Sequence, residues 1–442
     1  MIQSFGDLFK IPELKKRIIF TLMIIAVYRV GAAIPIPGIN AEALKAIFES
    51  QANTMLGFLD IFSGGALSRL SIFSMGIMPY INASIIMSLL TGAHVLPYLD
   101  RLSKEGEHGR KKINQITRYM TLILGALQSF GLTMVIKNFP VPGNIPVIKD
   151  DTTGFIALTV LTLTTGTVFI MWLGEQITEK GIGNGISLII FAGIICRLPS
   201  ASRDLYRLVR LEELSLFAAI FLIAVVFVVT GLVVWVETAQ RKIPVQYAKR
   251  VMGRKMYGGA STYLPIKVDQ SGVIAVIFAV SLLTMPMTVA QFFPQSAITR
   301  ILQSWWSNNS IYYELIYASL IIFFCYFYNS VSFNPTELAE NMKKWGGFVP
   351  GIRPGPPTAE YISRILERIT LGGAIFVALI AVMPDYLRKW LNAPFFFGGT
   401  ALLIVVGVAL DTIGQMESHL IMRHYDGFMK KGRIKGRWFN VK

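Results

Sequence analysis

Cysteine is almost missing from this chain, two residues in 442, at Cys196 and Cys325. Both sit at or near apolar runs, so neither a disulfide framework nor a cysteine metal site is on offer. Histidine is scarce too: His94, His108, His419 and His424 fall in predicted loops or the tail. They share no close His/Glu spacing, and a metal centre or histidine-activated nucleophile lacks its parts. Charge is thin, with 15% charged residues against 53% hydrophobic, which excludes a soluble protein. No small-residue cleavage pattern follows the first apolar run, which starts at Ile18 after Lys15-Lys16-Arg17, so no cleavable signal peptide is expected. Ionisable groups are also missing from the centres of the apolar runs. Arg29, Glu237 and Asp411 lie near the ends of theirs, and no run carries an Asp, Glu or His dyad. Coupled transport normally needs intramembrane carboxylates or broken helices that cradle an ion. A secondary transporter for small solutes is therefore the alternative reading, and an intramembrane enzyme a third. GIGNGIS at Gly181 to Ser187 is glycine-rich but lacks the lysine of a phosphate loop, and reads as a tight turn opening a helix.

What is present is a series of about ten apolar runs of spanning length, each a candidate transmembrane helix. They are Ile18–Ala33, Ser71–Gly92, Thr117–Ile136, Thr153–Leu173, Gly185–Ile195, Leu214–Val236, Ser271–Ala290, Ile311–Val331, Ile369–Met383 and Gly398–Ile413. The fifth is short and flanked by glycine. The net charge of +16 is distributed unevenly between them. With both termini cytoplasmic, the amino terminus, the loops after even-numbered spans and the tail hold about 30 Lys and Arg, against about 11 in the opposite loops, a positive-inside bias. One loop resists: Arg197, Arg203, Arg207 and Arg210 fall on the outer side, mixed with Asp204, Glu212 and Glu213. The reading is an all-α, multi-pass membrane protein of ten spans with both ends inside.

Asp60 to Leu90 stands out within this series. Phe62 to Leu70 is too short and too polar to cross about 30 Å of hydrocarbon. Ser71 to Leu90 is long enough, but Gly76 and Pro79 interrupt it. A non-spanning segment feeding a broken span is tolerated at membrane depth only under cover of protein or a water-filled cavity. The pattern suggests a short plug-like helix at the mouth of a path, and an external loop before a Pro-kinked helix meets the same spacing. Two cytoplasmic loops are too long to be connectors. Thr238 to Gln270 carries Arg241, Lys242, Lys249, Arg250, Arg254 and Lys255; alternating Ile243, Val245 and Tyr247 predict a strand, and Gly258-Gly259 a hairpin turn. Ser332 to Arg368 holds a helix over Pro335 to Trp345, with Glu337 early and Lys343-Lys344 late, then a proline-stiffened stretch, FVPGIRPGPPT. Such basic loops suit RNA, an acidic protein surface or lipid headgroups equally.

Eight strings, in order across nearly the whole chain, resemble the SecY family of protein-conducting channels. They are IPIPGI; FSGGALSRLSIF with GIMPYINASII; KEGEHGRKKINQITRY; EQITEKGIGNGIS; RKIPVQYAKR with YLPIKV; FNPTELAEN; GIRPG with TAEYISRILERIT; and GGTALLIVVGVALD. The resemblance implies two inverted five-helix halves, 1–200 and 201–415, around an hourglass pore, followed by a basic tail, 416–442. It implies that Phe62, Ser63, Gly64, Gly65, Ala66 and Leu67 belong to a plug. It also implies a pore ring of Ile77, Ile81, Ile186, Ile190, Ile277 and Ile404. A lateral gate is expected between helices 2 and 7, with Ser84, Thr91, Asp269 and Gln270. Implied partners are SecE and SecG, the SecA ATPase, the ribosome, signal-bearing preproteins and membrane lipids. Docking of motor or ribosome would use Arg241, Lys242, Lys249, Arg250, Arg254, Lys255 and, above all, Arg353. No cofactor, metal or catalytic residue is implied. The chain departs from the family in carrying Asp269 for an asparagine and Ala275 for a proline. Asp269 is expected to strengthen a polar contact that holds the gate shut, and Ala275 to leave helix 7 straighter.

Overall fold

The computed structural model describes residues 11–40, 44, 60, 63–92, 96–137, 153–247, 250–252, 255–257, 261–290, 311–391 and 399–431. In the first half the helices are α1 (Pro12–Ala33), α2 (Met78–Gly92), α3 (Pro97–Lys104), α4 (Glu107–Lys137), α5 (Thr153–Lys180), α6 (Gly185–Ile195) and α7 (Leu198–Arg210). In the second they are α8 (Leu216–Thr238), α9 (Gly272–Ala290), α10 (Ile311–Ser332), α11 (Pro335–Lys344), α12 (Pro356–Leu391) and α13 (Gly399–Lys431). Every expected span has its helix. Among the described residues, seven runs are long and apolar enough to cross a membrane alone: α4, α5, α6 with α7, α8, α10 with α11, α12 and α13. The shorter or more polar α1, α2 and α9 complete the ten.

Local chemistry sets the helix ends. Asn184 begins α6 by accepting from the amides of Ile186 and Ser187, and Asn334 begins α11 by accepting from Thr336 and Glu337. Pro356 and Pro357 open α12, where a missing N–H costs nothing. Pro79 works the same way near the start of α2. It does not kink a longer helix; residues 71–77 form turns, with Gly76 at φ +55°, and the span is the 15 residues from Met78. Ile77 lies just outside α2 yet keeps its i, i+4 relation to Ile81, whose amide donates to the Ile77 carbonyl at 3.1 Å. The loop expected after the fifth span is the helix α7, which has no buried residue, and α6 reaches it through a turn at Cys196–Arg197. The last span continues into the tail as far as Lys431.

The two halves meet along α2 against α9 and along α6 against α13. One apolar core runs through both, from Ile24 and Tyr28 of α1 to Val406 and Val408 of α13. At one end of the bundle the loop that opens α6 ties the halves further. The Ile182 amide donates to Thr21 Oγ1 of α1, and the Gly183 amide to Gln415 Oε1 of α13 at 2.9 Å. Those amides are already engaged, so no phosphate cradle exists there.

The two long basic loops, read separately in sequence, form one unit at that same end. β1 (Gln240–Tyr247) pairs antiparallel with β4 (Ser261–Lys267) on one side and with β5 (Gly347–Phe348) on the other. β2 (Arg250–Met252) and β3 (Lys255–Tyr257) make a separate small hairpin. Gly258-Gly259, the expected turn, lies outside the described residues. Ile243 and Val245 point inward from β1 as the alternation predicts, and pack with Ile266, Met342, Val349, Ile362 and Leu366. The sheet and the ends of α11 and α12 therefore share a small core of their own.

Candidate functional site

Asp60 and residues 63 to 76 fold as a knot of turns at the end of the bundle away from the sheet. The short helix expected here is a single 3₁₀ turn, Leu67–Arg69, closed by Leu70 in the left-handed region at φ 39°. Its backbone is satisfied by side chains, which explains why no longer helix forms. Asp60 Oδ1 accepts from the Ser68 amide at 2.8 Å, Ser63 Oγ accepts from the Leu67 amide at 3.2 Å, and Ser74 Oγ donates to the Ala66 carbonyl at 3.0 Å. Gly64 and Gly65 both have positive φ, +67° and +83°. The knot is buried. Ser63, Ala66, Leu67, Leu70, Ser71 and Ser74 are all shielded, so it is not an external loop. Phe62 lies outside the described residues.

This knot is seated almost wholly on the first half. Leu67 and Leu70 pack with Ile36, Leu132, Ile136 and Leu163. Tyr28 Oη and Arg29 Nη1 of α1 donate to the carbonyls of Ser63 and Gly64, at 3.3 and 3.1 Å. Gly64 presses so closely on α6 that a Cβ there would lie 2.8 Å from Gly193 Cα. Phe73, just beyond, stacks on Tyr28 with ring centroids 6.0 Å apart. It fits because Gly31 has no side chain: a Cβ there would fall 2.0 Å from the Phe73 ring.

The six isoleucines singled out in sequence come from four helices or their starts, and all join one apolar cluster, together with Ala66 of the knot. Ile77, Ile81, Ile190 and Ile277 are buried, and Ile404 is completely so. Ile186 is half-buried, with its side chain against α5 beside Gly174.

α2 and α9 pack against each other, but among the described residues no hydrogen bond joins Asp269 or Gln270 to Ser84 or Thr91. Thr91 Oγ1 donates within its own helix to the Met87 carbonyl at 2.7 Å, and Ser84 is half-buried. Asp269 instead opens α9: its Oδ1 accepts from the Gly272 amide at 2.8 Å and from Ser271 Oγ at 2.9 Å. The Ser271 hydroxyl also lies 3.3 Å from Cys325 Sγ of α10, and the backbone at Val268–Asp269 rests on Gly373 of α12. Asp269 thus braces the second half internally. Its other oxygen is buried without a partner, as is Gln270 Oε1. Burial pushes the Asp269 carboxyl above the usual carboxylate range, and the hydrogen bonds from Gly272 and Ser271 and the Lys267 charge pull it partly back. Ala275 is completely buried, and α9 runs uninterrupted until Pro286.

Of the docking candidates, Arg241 and Lys242 are exposed on β1, and Arg353 is exposed in the stretch between β5 and α12. The Arg353 backbone is held by Thr358 Oγ1, which donates to its carbonyl at 2.8 Å. Arg250 and Lys255 open the two strands of the small hairpin, while Lys249 and Arg254 lie outside the described residues. The aromatic Trp345 is 79% exposed on the same unit. Among the described residues no group of His, Cys, Asp and Glu could hold a metal ion.

Comparison with known proteins is in keeping with this arrangement. The family described as SecY matches residues 71–413. The protein translocase subunit SecY of Thermotoga maritima is 47% identical, over 99% of this chain and 100% of its own. That of Escherichia coli K12 is 46% identical, over 96% of each. Among solved structures, one described as a protein conducting channel superposes with a TM-score of 0.66 at 17% identity, over 98% of this chain and 99% of its own. A second, which concerns the SecY plug domain and the closed state of the channel, gives 0.67 at 17% identity over the same shares. Sec61 from a canine ribosome–channel complex gives 0.61 at 16% identity, again over 98% and 99%. With a family match over residues 71–413 and 47% identity to a SecY subunit over 99% of its length, this chain belongs to the SecY family of protein translocase subunits.

Proposed function

We propose that the chain forms a protein-conducting channel in which Ile77, Ile81, Ile186, Ile190, Ile277 and Ile404 line the constriction and the knot at 60–70 plugs it. The observation that supports this reading is that isoleucines from both halves, five of the six buried, belong to one apolar core that also takes in Ala66 of the knot. Uncharged β-branched side chains offer ions no ligand and gate by dewetting. They also grip a passing chain of any sequence, because dispersion contacts are not directional. The contact of α2 with α9 is where the halves would part sideways. An apolar segment would leave through that seam into lipid, favoured by about 25 cal/mol per Å² of apolar surface removed from water.

The channel is not an enzyme, and work comes from outside it. The sheet unit, with Arg241, Lys242 and Arg353 exposed, is the surface offered to a SecA-type ATPase or a ribosome, and SecE and SecG are its expected companions. The charge bias favours a cytoplasmic side for that unit and both termini, and the plasma (inner) membrane is the proposed location. Signal-bearing preproteins are the substrates.

Crosslinking tests the constriction. Cys196 and Cys325 are replaced, a single cysteine is put at Ile404, and a precursor is stalled in transit in vesicles holding the chain with its partners. ATP-dependent crosslinks from position 404 to the precursor are expected. Translocation without any crosslink at 404 would place the conduit elsewhere, and no translocation at all would overturn the channel reading.

A further inference from the structure

We infer that Arg197 is the positioning residue of the plug, acting through an ion pair with Asp60 that locks the knot at 60–70 to the pore-lining helix α6. Arg197 is one of the four arginines that run against the charge bias, at the end of the bundle away from the basic unit. The structure gives it a partner. Its guanidinium Nη2 bonds Asp60 Oδ2, and the aspartate side chain is 4% exposed and the arginine 29%.

The aspartate does two jobs at once. Its backbone carbonyl accepts from the Gly65 amide at 2.9 Å and from Ser63 Oγ at 3.1 Å, and its Oδ1 from the Ser68 amide. These bonds shape the knot. Its remaining oxygen reaches out to Arg197. Gly65 lies beside the guanidinium, and a Cβ there would sit in ordinary contact, 3.7 Å from Arg197 Nε. Arg197 stands in the turn just after α6, its amide donating to the Ile194 carbonyl at 3.1 Å. Ile190 precedes it by seven residues, about 10 Å along a helix at about 1.5 Å per residue. One rigid element therefore carries both a constriction residue and the lock. A chain that pushes α6 aside also drags Arg197 from the knot. A buried pair resists screening by salt, and losing one partner leaves the other charge uncompensated.

This inference rests on the channel reading, and the experiment separates the two. Idle vesicles holding the chain with its partners, loaded with halide, report the seal by efflux. Asp60→Asn keeps an oxygen for the Ser68 amide and loses only the ionic bond; Arg197→Ala removes the other partner. Each is expected to raise efflux at least about tenfold. Their combination should leak no more than the leakier single change, because both remove one interaction. Arg197→Lys, which keeps the charge, should restore part of the seal. Deletion of residues 63–68 is the reference for an unplugged channel. If the deletion leaks while Asp60→Asn and Arg197→Ala stay tight, or if their effects simply multiply, the lock is refuted. If the deletion does not leak either, the channel reading fails.

Discussion

The closest approach between plug and pore offers a sharp test at Gly64. Its φ of +67° is left-handed, and a Cβ would meet Gly193 Cα at 2.8 Å, Arg29 Nη1 at 2.9 Å and the Gly193 carbonyl oxygen at 3.1 Å. The arginine tip can move; the backbone of α6 cannot. Gly64→Ala therefore carries two costs, both borne only while the plug is seated. A side chain in the left-handed region costs about 1–2 kcal/mol, and overpacking against a fixed neighbour adds about 1–3 kcal/mol. Even a sum of about 2 kcal/mol raises the ratio of unseated to seated plug about 30-fold, since about 1.4 kcal/mol is tenfold. Halide efflux from idle vesicles measures that ratio directly. Gly65→Ala is the internal comparison: φ is +83°, but the nearest atom to a Cβ is 3.7 Å away, so only the backbone cost applies and the leak should be smaller. Gly106→Ala is the control, with φ +68° and nothing within 4 Å, in the α3–α4 turn at the far end of the bundle. It should leave efflux unchanged. A tight Gly64→Ala channel, or one no leakier than Gly65→Ala, would refute the close seating of plug on α6.

Three further outcomes follow from the second half. Burial raises the folded-state pKa of Asp269, so its contribution is greatest below the unfolded carboxylate value and is lost as pH rises through the raised one. Asp269→Asn stays neutral and keeps an oxygen for the Gly272 amide; it should raise Tm at about pH 8, with the gain vanishing near about pH 4. A gain that does not vary with pH would refute this. Ile243→Ala, at a position 2% exposed in the sheet unit, should destabilise that unit by about 2–5 kcal/mol. Limited proteolysis of the basic loops would report it, with idle efflux unaffected. Arg353→Glu, on an exposed side chain, should leave Tm within about 0.5 kcal/mol in stability and weaken motor or ribosome binding at least about tenfold; unchanged binding would remove Arg353 from the docking surface.

The sequence by itself determined the class of the protein: ten runs, their order and the concentration of basic residues at one end. These are legible because hydrocarbon thickness and backbone hydrogen bonding leave a chain in lipid few options. It also determined the strand at Ile243 and Val245, whose inward alternation is a local signal, and the caps at Asn184 and Asn334. The contents of the candidate pore were legible through the motif strings, though spacing alone would have left six isoleucines indistinguishable from any others. Tertiary structure decided what depends on distant partners. Residues 60–70 are a knot and not a helix because Ser63, Asp60 and Ser74 take the backbone bonds a helix would use. The two basic loops become one unit because Gln246 and Tyr247 pair with Phe348 and Gly347, about a hundred residues on. Asp269, expected to hold the gate shut, accepts from the Gly272 amide at the start of α9, one of the donors that a helix leaves unpaired in its first turn. Arg197 looked like an error of charge placement, and no pattern along the chain joins it to Asp60, 137 positions earlier. Only the packing of α6 against the knot brings that pair together, because hydrophobic patterning specifies which faces are buried and not which polar groups meet there.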